Sequence, residues 1–358
     1  MGDRTGMDSM ALFDTDLSVN PDAIAPPAPT AAATPAPAPS PVLGETVLAV
    51  DGNSLAHRAY HAYGNRPEVT NPVGAGLYGF LALLAAVVDL VRPAATIIGF
   101  DCRTSSFRKD LFSEYKGQRP EKPDALDALL DEIPVALDEL GAAVRTEQGY
   151  EADDICGSVA GASKQSGRHC VVATSDRDAF GLVGDGVEVL RIRSGMHRAQ
   201  QYTARRFRRE LGITPGQYTE YAALRGDSSD NLPGIHGIGP KRARDLLRRF
   251  DTVADAVADP LGCRSVLGPE VGQVLIDDHA SSDSVFHRNV QLMTIVQDLD
   301  VDLDDGLPTT PPTVIDECLR ERRLAGLIGR MTLCFADTAP NAQAPPLTDA
   351  DVPSLEVE

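Results

Sequence analysis

The chain has 358 residues, 42% of them hydrophobic, with 33 Lys and Arg against 52 Asp and Glu for a formal charge of −19. That length supports two folded units with real cores, and an acidic charge spread evenly would exclude a polyanion binder, leaving only one with a local cationic surface. The reading is of a soluble, cytosolic protein with no membrane-spanning run and no signal peptide; its cysteines (Cys102, Cys156, Cys170, Cys263, Cys318, Cys334) are too scattered for zinc or redox pairs and are expected as reduced thiols.

Residues 1–43 are rich in Ala, Pro and Thr ("IAPPAPTAAATPAPAPSP"), a composition that buries too little surface to offset its ordering entropy, so a disordered arm is expected. Apolar runs then alternate with helical patterns, which predicts an α/β fold with a twisted, mostly parallel sheet and crossover helices. Three runs end alike: "ETVLAVD" at Asp51, "ATIIGFD" at Asp101 and "HCVVATSD" at Asp176. Each reads as a strand covered on both faces, and ligands in open α/β sheets bind outside the carboxyl ends of the strands. An aspartate there is more often a helix cap or turn residue, but three in three point to a site.

More carboxylates follow beside loops and helix starts: Asp178; the cluster Glu151, Asp153 and Asp154 in "GYEADDICG"; and Asp227 with Asp230 in "GDSSDNLPG". Two like charges at about 4 Å cost about 4 kcal/mol even at an effective dielectric near 20, so nine of them converging on one crevice require cations. His57 and His61, four residues apart on an expected helix, lack further ligand-spaced partners and read as packing or surface. An all-oxygen set selects hard ions, Mg²⁺ or Mn²⁺, and two such ions suit phosphodiester hydrolysis.

Two basic stretches answer the acidic set. "SFRKDLFSEYKGQRPEKP" follows Asp101 and brings Arg108, Lys116 and Arg119 with Phe107, Phe112 and Tyr115 interleaved, as for a helix that grips phosphates and stacks a base. Between Gln201 and Phe250 there are ten Lys and Arg against five Asp and Glu. Within that span Gly234, Gly237 and Gly239 predict a tight hairpin and Pro240 opens the next helix. Ala243, Leu246, Leu247 and Phe250 then fall on one apolar face, leaving Lys241 and Arg242 free. Backbone N–H groups at such a turn form a phosphate site that is blind to base sequence.

"VDGNSLAHRAY", "FDCRTSSFRKDLFSEYKGQRPEKP", "YEADD", "TSDRDAF" and "GDSSDNLPGIHGIGPKRA" together resemble the 5′ nuclease (flap endonuclease) superfamily, notably the 5′–3′ exonuclease domains of bacterial DNA polymerases I and free-standing flap endonucleases. The resemblance runs from about Val47 to Leu303. It implies a PIN-like nuclease domain with a helical arch (44–200), a helix-three-turn-helix DNA-binding domain (201–310), one closing helical segment (311–336) and a disordered acidic tail (337–358). It further implies Mg²⁺- or Mn²⁺-dependent hydrolysis of 5′ flaps, nicked or gapped duplex and RNA primer–DNA. Asp51, Asp101, Glu151, Asp153 and Asp176 take the place of the inner metal set, and Asp154, Asp178, Asp227 and Asp230 the remaining acidic positions. Lys116 is then the phosphate-steering lysine, with Arg108 and Arg119 beside it and Tyr115, Lys241 and Arg242 on DNA. The hairpin of Gly234, Gly237 and Gly239 grips duplex where relatives bind K⁺. The expected setting is a cytoplasmic, nucleoid-associated monomer working beside a DNA polymerase or sliding clamp. A metal-less DNA-junction binder and a PIN-type RNase are the competing readings; the complete acidic set disfavours the first, the glycine hairpin and basic arch the second.

Overall fold

The computed structural model describes residues 46–66, 69–193 and 195–337. The expected N-terminal arm and, beyond residue 337, the expected acidic tail lie outside the described residues. In chain order the first half forms β1 (Thr46–Asp51), α1 (Gly52–Ala59), α2 (Pro72–Val91), β2 (Ala95–Gly99), α3 (Phe107–Leu111), α4 (Asp124–Glu139), β3 (Ala143–Arg145), α5 (Ala152–Ser166), β4 (His169–Thr174), β5 (Val187–Arg193) and β6 (Gly195–Tyr202).

The strands make one sheet in the order β3-β2-β1-β4-β5-β6, parallel except for β6, which runs antiparallel to β5. From β1 the chain moves outward through β2 and β3, then returns to β1's other side as β4, so the strand order reverses beside β1. A reversal of this kind opens a crevice at the carboxyl ends, where the strand-end aspartates stand. Side chains alternate across the pleat. Val47, Ala49, Ile97 and Val172 enter one core with α5, while Leu48, Val50, Ile98 and Val171 enter the other with α1, α2 and α4. That two-sided burial is why the strands read as unbroken apolar runs.

One expectation about the chain needs correction. Helix α2 has 20 residues and a mean hydropathy of 2.0, long and apolar enough to cross a membrane. In the fold it is a core helix: Leu77, Phe80, Leu81, Leu84, Val87 and Val88 are buried against the sheet and α4.

The second half is helical: α6 (Ala204–Leu211), α7 (Tyr218–Arg225), α8 (Pro240–Arg249), α9 (Val253–Ala258), α10 (Pro260–Leu267), α11 (Pro269–His279) and α12 (Val285–Met293), with a two-residue ladder of β7 (Gly226–Asp227) and β8 (Leu232–Pro233) after α7. The segment after α12 lies along α5. It fits because a methyl at Gly157 or Gly161 would stand 2.4 or 2.2 Å from the Val296 and Gln297 carbonyl oxygens, so the small residues of α5 are what let this backbone approach. The expected single closing helix is two, α13 (Pro312–Glu321) and α14 (Ile328–Phe335), because Arg323 between them takes a left-handed φ of 60°. Met331 and Phe335 join the core that covers α2.

Candidate active site

A pocket of about 230 Å³ opens at the carboxyl ends of β1, β2 and β4, and its walls include Asp51, Asp101, Glu151, Asp153 and Asp176. All five carboxylates expected as the inner set therefore meet in one cavity. Asp51 closes β1 and also caps α1, accepting from Ser54 N at 2.8 Å and from the Thr174 hydroxyl at 2.7 Å. Cap and site residue are here the same side chain. Asp101 stands two residues past β2 and accepts from Ala152 N at 2.9 Å and Asn53 Nδ2 at 2.8 Å, which ties it to the start of α5. Asp176, two residues past β4, is exposed and accepts from Asp178 N at 3.0 Å.

The cluster in "GYEADD" divides three ways. Asp154 is fully buried, takes both Arg108 Nη atoms at 2.6 and 2.8 Å, and accepts from Glu151 N and Val296 N. Its expected place among the metal carboxylates is corrected: both oxygens are already spoken for and it does not line the pocket. Glu151 faces the pocket with one oxygen shared among Lys116 Nζ at 3.0 Å, Tyr115 OH at 3.1 Å and Arg108 Nη1 at 3.3 Å. Burial works to raise its pKa, but Lys116 and Arg108 hold it below the usual carboxylate range. Asp153 also faces the pocket, and its Oδ1 is buried without any hydrogen-bond partner.

Two residues of the basic stretch are corrected with Asp154. Arg108 is 1% exposed and Tyr115 3%, so neither presents a surface to DNA; both brace Glu151 from behind. The helix itself ends at Leu111, and the chain turns through Lys116 with a left-handed φ of 56°. That turn brings Lys116, Arg119 and Lys122 into the lining of the same pocket as the acids. Arg119 is held there by Asp230 at 2.6 Å, and Lys116 N donates to Asp230 O at 3.0 Å.

Asp178, Asp227 and Asp230 gather beside Asp176, outside the pocket wall. Burial and the three neighbouring aspartates push Asp178 up to about 8. Burial likewise pushes Asp51 up to about 7, with Asp101 and Asp176 adding to it, and raises Asp101 and Asp153. A buried carboxylate oxygen with no donor and several carboxylates held above their ordinary range are the marks of a site that suits cations. No group of three His, Cys, Asp or Glu among the described residues is drawn close enough to cage an ion directly. The donor chemistry fits a hard ion such as Mg²⁺, which keeps several waters between itself and all but one or two carboxylates.

Sequence reasoning missed Asn53, Ser54, Ser175 and Lys122 as lining residues, and left His57 to ordinary packing although it borders the pocket. Burial, then Lys122, His61 and Arg119, pull His57 down to about 4, so it is neutral there. The available signal was position: Asn53 and Ser54 directly follow the strand-ending Asp51 and Gly52. The glycine hairpin folds as expected. Gly237 has φ 81°, Pro240 opens α8, and Ala243, Leu246 and Leu247 are buried. Lys241 and Arg242 are exposed, while Arg242 also donates to Gly237 O at 2.7 Å.

The fold is an α/β domain with its acidic pocket at the strand ends and a helical appendage. Residues 46–212 match the 5′-3′ exonuclease N-terminal resolvase-like domain and residues 213–313 the 5′-3′ exonuclease C-terminal SAM fold. The 5′-3′ exonuclease of Mycoplasma pneumoniae is 34% identical over 220 residues, 60% of this chain and 76% of that protein. The chain belongs to the 5′-3′ exonuclease family. DNA polymerase I of Mycobacterium tuberculosis is 35% identical over 274 residues, and the match takes in 75% of this chain but only 28% of the polymerase. Among solved structures, the T5 D15 protein co-crystallised with metal ions superposes with a TM-score of 0.57 at 21% identity, over 80% of this chain and 99% of that one. Human GEN1 in complex with Holliday junction DNA gives 0.55 at 15% identity, over 82% and 71%. Both show a shared fold.

Proposed function

We propose that the protein is a structure-specific 5′ nuclease that hydrolyses phosphodiester bonds at the 5′ ends and 5′ flaps of DNA, in primer removal and repair. One observation carries this reading: five carboxylates line a single pocket together with Lys116, Arg119 and Lys122. A wall of carboxylates alone repels a phosphodiester. With divalent ions on the carboxylates and ammonium and guanidinium groups in the same lining, the cavity seats one.

Asp51, Asp101, Glu151, Asp153 and Asp176 would hold the ions, with Asp178, Asp227 and Asp230 acting through water on the second. Two bound Mg²⁺ or Mn²⁺ would ease deprotonation of the attacking water and stabilise both entering and leaving oxygens. The protein's own groups position the substrate. Lys116, fixed by Glu151 and by its backbone bond to Asp230, donates to the scissile phosphate; Arg119, anchored on Asp230, neutralises the next charge along the strand. Gly237 and Gly239, leading into α8, offer backbone groups to the duplex, with carbonyls for a K⁺ and Lys241 and Arg242 for phosphates. A polymerase or a sliding clamp is the expected partner.

The test is a 5′-labelled flap duplex incubated with Mg²⁺ or Mn²⁺. Cleavage near the junction, abolished by Asp176→Asn, is expected. Intact substrate under both metals, or undiminished cleavage by the variant, would remove the reading.

A further inference from the structure

A second cavity, of about 640 Å³, adjoins the turn at Lys116, and its walls include Phe112, Arg225, Ser228, Asn231 and Arg288. Glu114 and Gln118 line it too, whereas Lys116 and Arg119 line the acidic pocket, so this turn has one side on each cavity. Pro233 and Gly234, which lead into the glycine hairpin, close the other end. The cavity thus sits between that turn and the hairpin.

Among the described residues neither of its two arginines is in a salt bridge; Asp178 lies within electrostatic reach of Arg225, and Asp278 and Glu114 of Arg288. Arg225 lies over the Tyr221 ring at 5.5 Å, and its Nε is buried with nothing to donate to. Arg288 lies over the Phe112 ring at 4.4 Å and, among the described residues, donates to the neutral Asn289 side chain alone, at 3.0 and 3.4 Å. Glu114 is the one carboxylate in the lining. On a chain with a formal charge of −19, two guanidiniums in one cavity, one with an orphaned donor, call for an anion. The Ser228 hydroxyl and the Asn231 amide border the same space and suit phosphate oxygens.

We infer that this cavity is a phosphate subsite for the DNA duplex, with Arg225 and Arg288 holding one backbone phosphate between the scissile position and the hairpin. The inference rests on the nuclease reading and extends it: the three cationic elements, the Lys116 turn, the cavity and the hairpin, become one track. Arg288 on α12 and Arg225 on α7 set the distance between the duplex and the cut. Both are binding residues and touch no reacting atom.

The test measures binding of a fluorescent 5′-flap duplex by anisotropy in an Asp176→Asn background with Mg²⁺, across a salt series. Arg288→Gln and Arg225→Gln are each expected to weaken binding about tenfold and to lower the slope of log Kd on log salt by about one. Arg288→Lys should recover most of the loss. Arg320→Gln, which removes an exposed charge on α13 paired with Asp316, should leave Kd unchanged. Thermal melting checks that each variant folds, and if Arg225→Gln unfolds, the Arg288 pair decides. Unchanged Kd and slope in Arg288→Gln would overturn the inference while leaving the nuclease intact; failure of the parent to bind the flap would overturn both.

Discussion

Arg108 and Asp154 form a bidentate pair, at 2.6 and 2.8 Å, in which neither side chain reaches solvent. The same guanidinium donates through Nε to Leu292 O at 2.8 Å, so one residue of α3 fastens the start of α5 to the end of α12. Burial disfavours the charged guanidinium, but Asp153, Asp154 and Glu151 more than offset it and hold its pKa above the ordinary value.

Arg108→Met should therefore act on the fold before it acts on the chemistry. It leaves the Asp154 carboxylate buried and unpaired, a change that costs about 3–5 kcal/mol. Urea unfolding reads this directly, and Arg108→Met with Asp154→Leu should recover much of the loss because both buried charges are gone. A single variant as stable as the parent would contradict the burial of the pair.

The acidic pocket predicts how stability depends on pH without divalent ions. Asp51 is held at about 7 and Asp178 at about 8 in the folded chain, both above the ordinary 3.8. The folded state thus binds more protons than the unfolded one between roughly pH 4 and 8, and that contribution to stability, full below pH 4, is lost as pH rises through the folded values. In EDTA the melting temperature should fall from pH 5 to pH 8. Added Mg²⁺ or Mn²⁺ should raise it at pH 8 far more than at pH 5, and Asp153→Asn should blunt that gain. A metal-independent melting profile would refute this account of the orphaned Asp153 oxygen.

The sheet and the meeting of Asp51, Asp101 and Asp176 at one pocket were legible because β1, β2 and β4 are buried on both faces and each run ends at or two residues before an aspartate. Hydropathy reports that pattern directly. It does not report which member of an acidic cluster turns inward: Glu151, Asp153 and Asp154 look alike in sequence, and only the packing of α3 and α12 against α5 sends Asp154 to Arg108. Tyr115 was misplaced for the same reason, since an aromatic among cations suits either a stacking platform or a brace. Short β3, three residues long, carries too little pattern to be read. The length and hydropathy of α2 were overlooked, and only its neighbours in the core distinguish it from a spanning helix.

Lys116 separates chemistry from binding. Its ammonium works against burial yet is held charged by Glu151 and Asp230, so it stays protonated across the physiological range. Removing one such preorganised donor typically costs about 10²–10³ in kcat. Lys116→Ala should lower flap cleavage at saturating substrate by about 10²-fold. Binding of the flap in the Asp176→Asn background should change much less. A Lys116→Ala enzyme with the parental rate would remove the lysine from the mechanism.

Gly234 couples the hairpin to the second acidic group. A methyl there would stand 2.3 Å from the carbonyl carbon and oxygen of Arg225 and 2.6 Å from Gly226 N, which is backbone that cannot swing aside. Gly226, opposite, has φ 74° and pairs with Pro233, the residue before Gly234, and a methyl on it would stand 2.3 Å from Gly234 N, so the two glycine backbones meet at the end of the ladder. Gly234→Ala should push this ladder apart at a cost of about 1–3 kcal/mol, displacing Asp227 at one end and the hairpin at the other. Thermal stability, flap affinity and cleavage should then fall together. Gly239 caps α8 with extended backbone and has nothing within 4 Å of a methyl, so Gly239→Ala should leave the melting temperature unchanged. Equal melting of the two variants would mean that the two-residue ladder does not hold the hairpin.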